Sequence, residues 1–378
     1  MRRLVATAAD DAAQLRRDLD RALDGGPALG LGMLGEQQAE VDDGVAVVIG
    51  TSGSSGIPKR VVLGAEALRA GAEATAERIG SGAWLLALPA GYVAGLQVLV
   101  RSILADTTPV VLDGGFSPRA FAEATLAMSP RVPRFTSLVP AQISTLMDAA
   151  DDAAVLAALQ AYEAILVGGQ ALPQPLREQA AEFGARLVRT YGSTETSGGC
   201  VYDGIPLDTA AVRVVDGELQ IAGPMLADGY LGDPVLTART FTRDEHGIRW
   251  YRTGDLGIVE DGVVRVHGRA DNVIVSGGIN ISLDRVERIV RGIPGLTGAV
   301  VVGVEDDRWG EASVIVAARG EALRRSEADQ LEKARAAVAD ELGKPARPER
   351  LILVDALAAL SSGKPDREAI RRIVAALR

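Results

Sequence analysis

"VVIGTSGSSGIPKRVVL", Val47–Leu63, is the stretch on which the reading of this chain turns. Every residue from Gly50 to Gly56 is Gly, Ser or Thr. Apolar β-branched residues flank the block, and Pro58 and Lys59 close it. Val45–Ile49 therefore reads as a short buried strand and Arg60–Leu63 as another. A loop of this composition offers converging backbone amides and hydroxyls, the donors that hold phosphate oxygens. Thr51, Ser52, Ser54, Ser55 and Lys59 make up that set. The Walker phosphate loop is a different device, because its Gly-Lys-Ser/Thr end leads at once into a helix. Here Lys59 leads into a strand. An ordinary Ser/Gly-rich surface turn has the same composition, so the loop alone leaves both readings open.

Size and charge narrow the classes. The chain has 378 residues, enough for two domains and a large core. Hydrophobic residues make up 47% and charged residues 24%, as in ordinary globular proteins. A net charge of -10 argues against nucleic acid and anionic membranes as general partners. The single cysteine, Cys200, excludes an internal disulfide and a cysteine metal cluster, and suits a reducing cytoplasm. Arg2 and Arg3 precede an apolar run that ends at Asp10, too short for a signal peptide. Ile79–Val100 carries no charge, but Gly80, Ser81, Gly82, Pro89, Gly91, Gly95 and Gln97 interrupt it. It reads as a buried strand, a Pro-Gly turn and the start of a buried helix, not as a membrane span of ~20 apolar residues.

Beyond the loop, Ala65–Ile79 reads as a helix, and strand-like and helix-like runs alternate to about residue 200, which predicts α/β layering. Val212–Val266 is mostly β: short strands at Val212–Val215, Glu218–Ala222 and Val263–Val266 are punctuated by Asp216-Gly217 and Asp261-Gly262, both hairpin turn signals. A boundary near Gly268–Asp271 predicts a large domain over 1–270 and a small α+β domain over 271–378. The latter holds a helix around Leu283–Val290, strands at Ala299–Val304 and Ala312–Ala318, and a charged helix from Ser326 to Leu342. In "SSGKPDREAIRRIVAALR", Ser361–Arg378, Pro365 suits the first helical position, and Asp366 and Glu368 the positive helix end. Ile370, Ile373, Val374 and Leu377 form one apolar face, which leaves Lys364 on the preceding loop, pointing outward.

"TSGSSGIPK" resembles the phosphate loop of the acyl-adenylate-forming superfamily, which includes acyl- and aryl-CoA synthetases, adenylation domains and luciferases. Further segments resemble that superfamily's signatures in order: "YGSTET" (Tyr191–Thr196), "GELQIAGPMLADGYLGDP" (Gly217–Pro234), "YRTGDLG" (Tyr251–Gly257), "GRADNVIVSGGINIS" (Gly268–Ser282) and "SSGKPDR" (Ser361–Arg367). The resemblance covers the chain from about Val45 to its end. It implies an α/β large domain with layered sheets and a β-rich portion, followed by a small α+β domain. Fewer residues precede the loop than is usual in the superfamily, which implies a reduced first subdomain. In this the chain resembles the compact o-succinylbenzoate-CoA ligases of menaquinone biosynthesis. "LPAGYVAGLQVLVRSI" (Leu88–Ile103) and "SLVPAQISTLMD" (Ser137–Asp148) are similar to substrate segments of that branch.

The resemblance implies ATP, Mg2+ and CoA as the reacting set: a carboxylate attacks the α-phosphate of ATP, and CoA then displaces AMP. It implies Glu195 as the metal ligand, Thr194 as an α-phosphate donor, and Tyr191 as a stacking surface for adenine. Gly169 and Gly192 join this nucleotide set. Asp255 is implied to hold both ribose hydroxyls, Arg269 to approach ribose or phosphate, and Lys364 to bridge the carboxylate and the α-phosphate. Asp271 matches the hinge between domains. A rotation there would withdraw Lys364 and bring the Ser276–Asn280 segment to the cleft, with Gly277 and Gly278 leaving room for a pantetheine arm. Two positions depart from the pattern: Leu283 stands where a proline is usual and Arg285 where an acid is usual, while Glu287 is retained.

For the acid, Ala94, Gln97 and Arg101 share one helix face, and Gly95 leaves room beside them. Arg101 suits a second carboxylate on the substrate, because its planar fork bonds bidentately. Ser137 would assist, and Tyr92 would form a pocket wall. The competing reading has Arg101 capping the end of a buried helix. His246 and His267 lie at no metal spacing and read as structural or solvated, and Cys200 has no paired base in view. Other acyl- or aryl-CoA ligases, a stand-alone adenylation domain serving a carrier protein, and a non-catalytic nucleotide-binding regulator remain as alternatives. The partners expected are small molecules, with a second copy of the chain as the candidate cover for the side that the short N-terminus leaves open.

Overall fold

The structure is a computed structural model describing residues 1–32, 40–51, 59–112, 114–306, 309–319, 327–360 and 364–377. Val45–Thr51 is buried on both faces along most of its length, as a central strand must be. It lies between Ala28–Leu31, to which it is parallel, and Lys59–Gly64, to which it is antiparallel. Thr51 and Lys59 are paired, so the two strands end side by side. Ser52, Ser54 and Ser55 lie outside the described residues.

The segment before that strand is compact. Arg2–Ala6 runs parallel to Ala28–Leu31, and helix Ala12–Leu23 connects them. Leu15 and Leu19 are fully buried in the main core beside Leu96 and Leu99. Asp11 caps it by accepting from the Gln14 amide at 2.8 Å.

A second sheet carries the α/β layering. Leu187–Ser193, Ala164–Val167, Arg134–Leu138, Ala83–Leu86 and Val110–Val111 are all parallel and adjacent in that order. Gly198–Tyr202 and Ile205–Pro206 extend one edge antiparallel. Ala65–Ile79 is helical as expected. The uncharged stretch resolves into strand Ala83–Leu86, a turn closed by Tyr92 N–H on Pro89 O at 3.2 Å, and helix Val93–Leu104. Among the described residues no helix is long and apolar enough to cross a membrane.

The β-rich portion is a sheet ordered Ala211–Val215, Glu218–Ala222, Arg249–Glu260, Phe241–Arg243, with Val263–Arg269 also paired to Arg249–Glu260. Both expected Asp-Gly turns close hairpins with positive φ at each residue: Asp216 +51° and Gly217 +81°, Asp261 +49° and Gly262 +78°. Asp203-Gly204 closes another such hairpin, between Tyr202 and Ile205, that went unread.

The C-terminal sheet runs Ile279–Ser282, Val273–Ser276, Gly310–Ala318, Val300–Asp306, with Arg350–Val354 parallel to Gly310–Ala318. Helices Leu283–Arg291 and Glu327–Leu342 cover one face, where Val286, Val290 and Val338 meet Val301 and Ile315. Helix Arg367–Ala376 covers the other, with Ile370 and Val374 on Val300, Val302, Val314 and Val316. Its start differs from expectation. Asp366, not Pro365, marks the boundary, as N-cap accepting from Ala369 N–H at 2.9 Å. Its apolar face is also narrower, because Leu377 is exposed. Lys364 precedes it on a narrow return: Leu360 N–H bonds Lys364 O at 2.8 Å and Asp366 N–H bonds Ala358 O at 2.9 Å.

Candidate active site

The parallel strands end in one row. Ser137 is next to last in Arg134–Leu138, Gly168 and Gly169 follow Ala164–Val167, and Leu187–Ser193 runs into the turn Thr194–Thr196. Ligands of open α/β sheets bind beyond such carboxyl ends. The last strand is re-aimed there by a register shift between Tyr191 and Gly192. Gly192 has no room for a side chain, since a Cβ would lie 2.1 Å from Gly198 O.

Two anionic centres face this row. Asp255, in Arg249–Glu260, accepts from the Tyr191 hydroxyl at 2.6 Å. Burial pushes its carboxyl up, while Tyr191 and Arg269 pull it down. The Tyr191 phenol is raised first by burial and then by Asp255, so it remains a donor at neutral pH. Arg269 lies opposite Asp255 in the hairpin register, with 3.5 Å between Nη1 and Oδ1. It also donates to Thr253 O at 2.8 Å and holds the Asp271 carboxylate at 3.0 and 3.1 Å. The expected ribose ligand and the expected hinge residue are therefore tied to one guanidinium.

Glu195 is the second centre. The Tyr230 hydroxyl donates to its Oε1 at 2.9 Å. Lys59 Nζ stands 5.6 Å from the centre of the Tyr230 ring, which brings the end of the opening loop to Glu195. Tyr251 lies between the two centres: its phenol is raised well above the usual value by burial first, and Glu195, Tyr230 and Asp255 all act on it. Thr51 is half-buried at the strand end, its hydroxyl on Lys59 O at 3.3 Å.

Lys364 comes from the other domain to this cleft. Its side chain lies along Gly169, where a Cβ would approach Lys364 Cε to 3.3 Å. Gly169 also has φ +83°, so a larger residue there is strained as well as crowded. Burial lowers the Lys364 ammonium pKa, and Glu195 and Asp255 oppose it. The residue keeps solvent access, so water screens these effects. Gly277 and Gly278 turn the hairpin between Val273–Ser276 and Ile279–Ser282 at φ +57° and +79°. Gly277 N–H bonds Trp309 O at 2.8 Å within the small domain. Lys364, not this hairpin, is the element against Gly169.

The expected acid-site residues fall in a separate group. Gln97 and Arg101 are buried, whereas Ala94 is exposed, so only two of the three share an inward face. Gln97 Nε2 donates to Leu68 O at 3.2 Å, and its buried Oε1 has no partner. It packs beside Gly198, two residues past Thr196. Arg101 lies over the Trp84 ring at 4.9 Å and approaches the Thr75 and Tyr202 hydroxyls at 3.3 and 3.5 Å. Among the described residues its hydrogen bonds go to those hydroxyls rather than to the last carbonyls of the helix. Its Nε is buried without a partner, and its pKa is lowered by burial, with Tyr202 opposing. A cavity of about 230 Å3 adjoins it, lined by Ala72, Glu73, Thr75, Gly80, Trp84 and Leu104 among others, but by no residue of the nucleotide cleft. Ser137 is buried and Tyr92 half-buried at the helix start. His246 lies in an exposed turn, and His267 is held below its usual pKa by burial, Arg288 and Arg285. Burial pushes the Cys200 thiol up to about 12, which leaves it unreactive.

Tyr230, Tyr251 and Thr253 were not singled out in the sequence, although each lies inside a quoted segment. A hydroxyl-bearing side chain within such a segment was the available signal.

The family profile described as "AMP-binding enzyme" matches residues 4–231, and "AMP-binding enzyme C-terminal domain" matches residues 285–364. A Mycobacterium tuberculosis protein named "Probable 2-succinylbenzoate--CoA ligase" is 41% identical over 351 residues, covering 91% of this chain and 88% of that protein. The Escherichia coli protein named 2-succinylbenzoate--CoA ligase is 32% identical over 277 residues, covering 70% of this chain and 57% of its own length. Among solved structures, a variant of E. coli MenE with bound OSB-AMS superposes with a TM-score of 0.70 at 25% identity, over 90% of this chain and 72% of that one. The Bacillus subtilis o-succinylbenzoate CoA synthetase, in complex with the acyl-adenylate intermediate OSB-AMP, gives 0.73 at 22% identity, over 97% and 83%.

Proposed function

The chain belongs to the AMP-binding enzyme family, and from that premise we infer that it is an ATP-dependent acid:CoA ligase that activates 2-succinylbenzoate as its acyl adenylate and transfers the acyl group to CoA. The observation that carries the reading is that Lys364 lies against Gly169, beyond the sheet end that also carries Glu195. In the first step an oxygen of the acid's carboxylate bonds the α-phosphorus, and pyrophosphate leaves with the bridging oxygen. In the second, the CoA thiolate bonds the acyl carbon, and AMP leaves as the C–O bond breaks. Both steps gather negative oxygens, so fixed cations and donors supply the stabilisation.

The chain's own groups divide that work. Lys364 neutralises charge between the acid and the α-phosphate. Thr51 and Lys59, with Ser52, Ser54 and Ser55 of the loop, hold the outer phosphates. Thr194 donates to the α-phosphate. Asp255 takes the ribose hydroxyls, and the Tyr191 ring carries the adenine. Tyr230 holds one oxygen of Glu195, and the other takes no hydrogen bond from the described residues, which fits a single-carboxylate site for Mg2+. Bound there, Mg2+ would neutralise phosphate charge.

Arg101 is the partner proposed for the acid's second carboxylate. Among the described residues the buried Arg101 Nε–H has no hydrogen-bond partner, which favours an anionic ligand there, although Glu73 also lines the adjoining cavity. Residues 1–270 and 271–378 are proposed as the two domains, with Asp271 as the hinge that lets Gly277 and Gly278 replace Lys364 for the second step. The reaction sets the compartment to the cytoplasm, where ATP and CoA are supplied.

Mass spectrometry of the products from ATP, CoA and 2-succinylbenzoate tests the assignment, and the expected species is the acid's CoA thioester with AMP. Thioester from some other acid and none from this one would remove the substrate. Lys364→Ala is expected to slow adenylation by roughly 10²- to 10³-fold, the scale of losing a positioned transition-state donor. Thioester formation from supplied acyl adenylate should survive, and an equal loss in both steps would contradict the role.

A further inference from the structure

We propose that Gln170 and Arg291 are positioning residues that seat Lys364 in the nucleotide cleft, an inference that rests on Lys364 serving adenylate formation. Arg291 ends helix Leu283–Arg291 and is buried. Its Nε donates to Ala299 O at 2.7 Å, and its Nη2 meets Glu287 Oε1 at 2.9 Å. Its Nη1 leaves the small domain and reaches Gln170 Oε1 at 3.4 Å.

The same Glu287 continues the chain of contacts toward the lysine. Its Oε2 accepts from Val301 N–H at 2.9 Å and from Arg367 Nη2 at 2.7 Å. Arg367 Nη1 donates to Val301 O at 2.9 Å. Arg367 opens the helix that follows Lys364, and the narrow return through Leu360 and Asp366 ties the two together. On the far side, Gln170 is bonded directly to Gly169, the residue against which the Lys364 stem lies. The seat and the lysine are therefore joined by a path that crosses the domain boundary at the Arg291–Gln170 hydrogen bond.

Two arginines on one buried glutamate are costly to desolvate, and apolar residues of similar volume can support a fold as well or better. What this cluster adds is direction. Arg291, already held by Glu287 and Ala299, has a fixed N–H left to aim at Gln170. Gln170 is a neutral acceptor at the long end of hydrogen-bond distance, and such a contact is modest and can be made and broken in each turnover.

The test compares Gln170→Met, which keeps length and loses the acceptor, with Gln170→Glu, which faces Arg291 with a carboxylate. Gln170 is half-buried outside the Glu287 cluster, so both variants avoid the unfolding risk of Arg291→Met. Pyrophosphate exchange and thioester formation from supplied acyl adenylate are measured separately, with melting temperature alongside. Gln170→Met is expected to lower the kcat of exchange about three- to tenfold, the scale of one modest hydrogen bond. KM for ATP and the second half-reaction should stay within about twofold of the parent. Gln170→Glu should recover exchange and slow the second half-reaction. A Met variant that exchanges like the parent, a parallel fall in both half-reactions, or a Glu variant no better than Met overturns the role. If the parent exchanges with a different acid, the substrate assignment fails and the comparison is made with that acid. If it exchanges with none, both fall.

Discussion

Asp255 and Lys364 make opposite bargains with burial. Burial raises the Asp255 carboxyl, so its ionised form costs stability at any pH above the ordinary carboxylate range, a cost that grows as pH rises through the folded value. Asp255→Asn removes that charge while keeping an acceptor for Tyr191. The expectation is a melting temperature at pH 7 no lower than the parent's. The loss of charge-assisted bonds to ribose should weaken nucleotide binding about tenfold or more. A melting point several degrees lower with unchanged ATP affinity would refute this account. Burial lowers the Lys364 ammonium, so adenylation that needs the cation is lost as pH rises through that lowered value. The alkaline limb of kcat/KM for exchange should fall below the usual lysine range, and that of kcat, measured with phosphates bound beside the ammonium, should lie higher. Coincident limbs would show that another group is titrating.

Local chemistry fixed most elements. The Asp-Gly pairs at Asp216 and Asp261 take the turn that their residue types demand, and the all-apolar run at Val45 becomes a strand buried on both faces. The C-terminal helix was misplaced at its start because Pro365 and Asp366 both suit a helix beginning, and the choice between them rests on which group finds the free amide. Asp366 does so at 2.9 Å. Asp366→Ala should cost about 1 kcal/mol of small-domain stability. Because Lys364 sits on the return just before the cap, the change should also slow exchange more than thioester formation. Equal rates with unaltered stability would show that the cap does not hold the return.

At the level of the whole molecule, Lys364 lies against Gly169 while the Gly277-Gly278 hairpin bonds Trp309 within its own sheet, the arrangement that the proposed rotation would start from. Residues 170 and 291 face each other across the domain boundary. Joining the two sides of that boundary by a short thiol-reactive linker between cysteines introduced at exposed positions that leave Gln170 and Arg291 intact should leave pyrophosphate exchange running and stop thioester formation. The native thiol will not compete, since Cys200 is buried and its pKa is pushed up to about 12. Turnover of both half-reactions in the linked protein would exclude rotation as part of the cycle.

From the sequence alone came the strand-loop-strand around Gly50–Gly56, the β-rich hairpins, and, through the resemblance, Glu195, Asp255 and Lys364 as candidates. Each is carried by neighbours in the chain, through alternation, turn chemistry or a short motif. Only the tertiary structure decided the rest. The packing of Leu15 and Leu19 under the main core showed what the short N-terminal segment builds. The 2.9 Å bond from Tyr230 to Glu195, the seat of Arg101 against Thr75 and Tyr202, and the Gln170–Arg291 contact join residues far apart in sequence. No local pattern encodes such pairs, because they depend on how the chain returns through space, and desolvation acts on a side chain only after that path has closed around it.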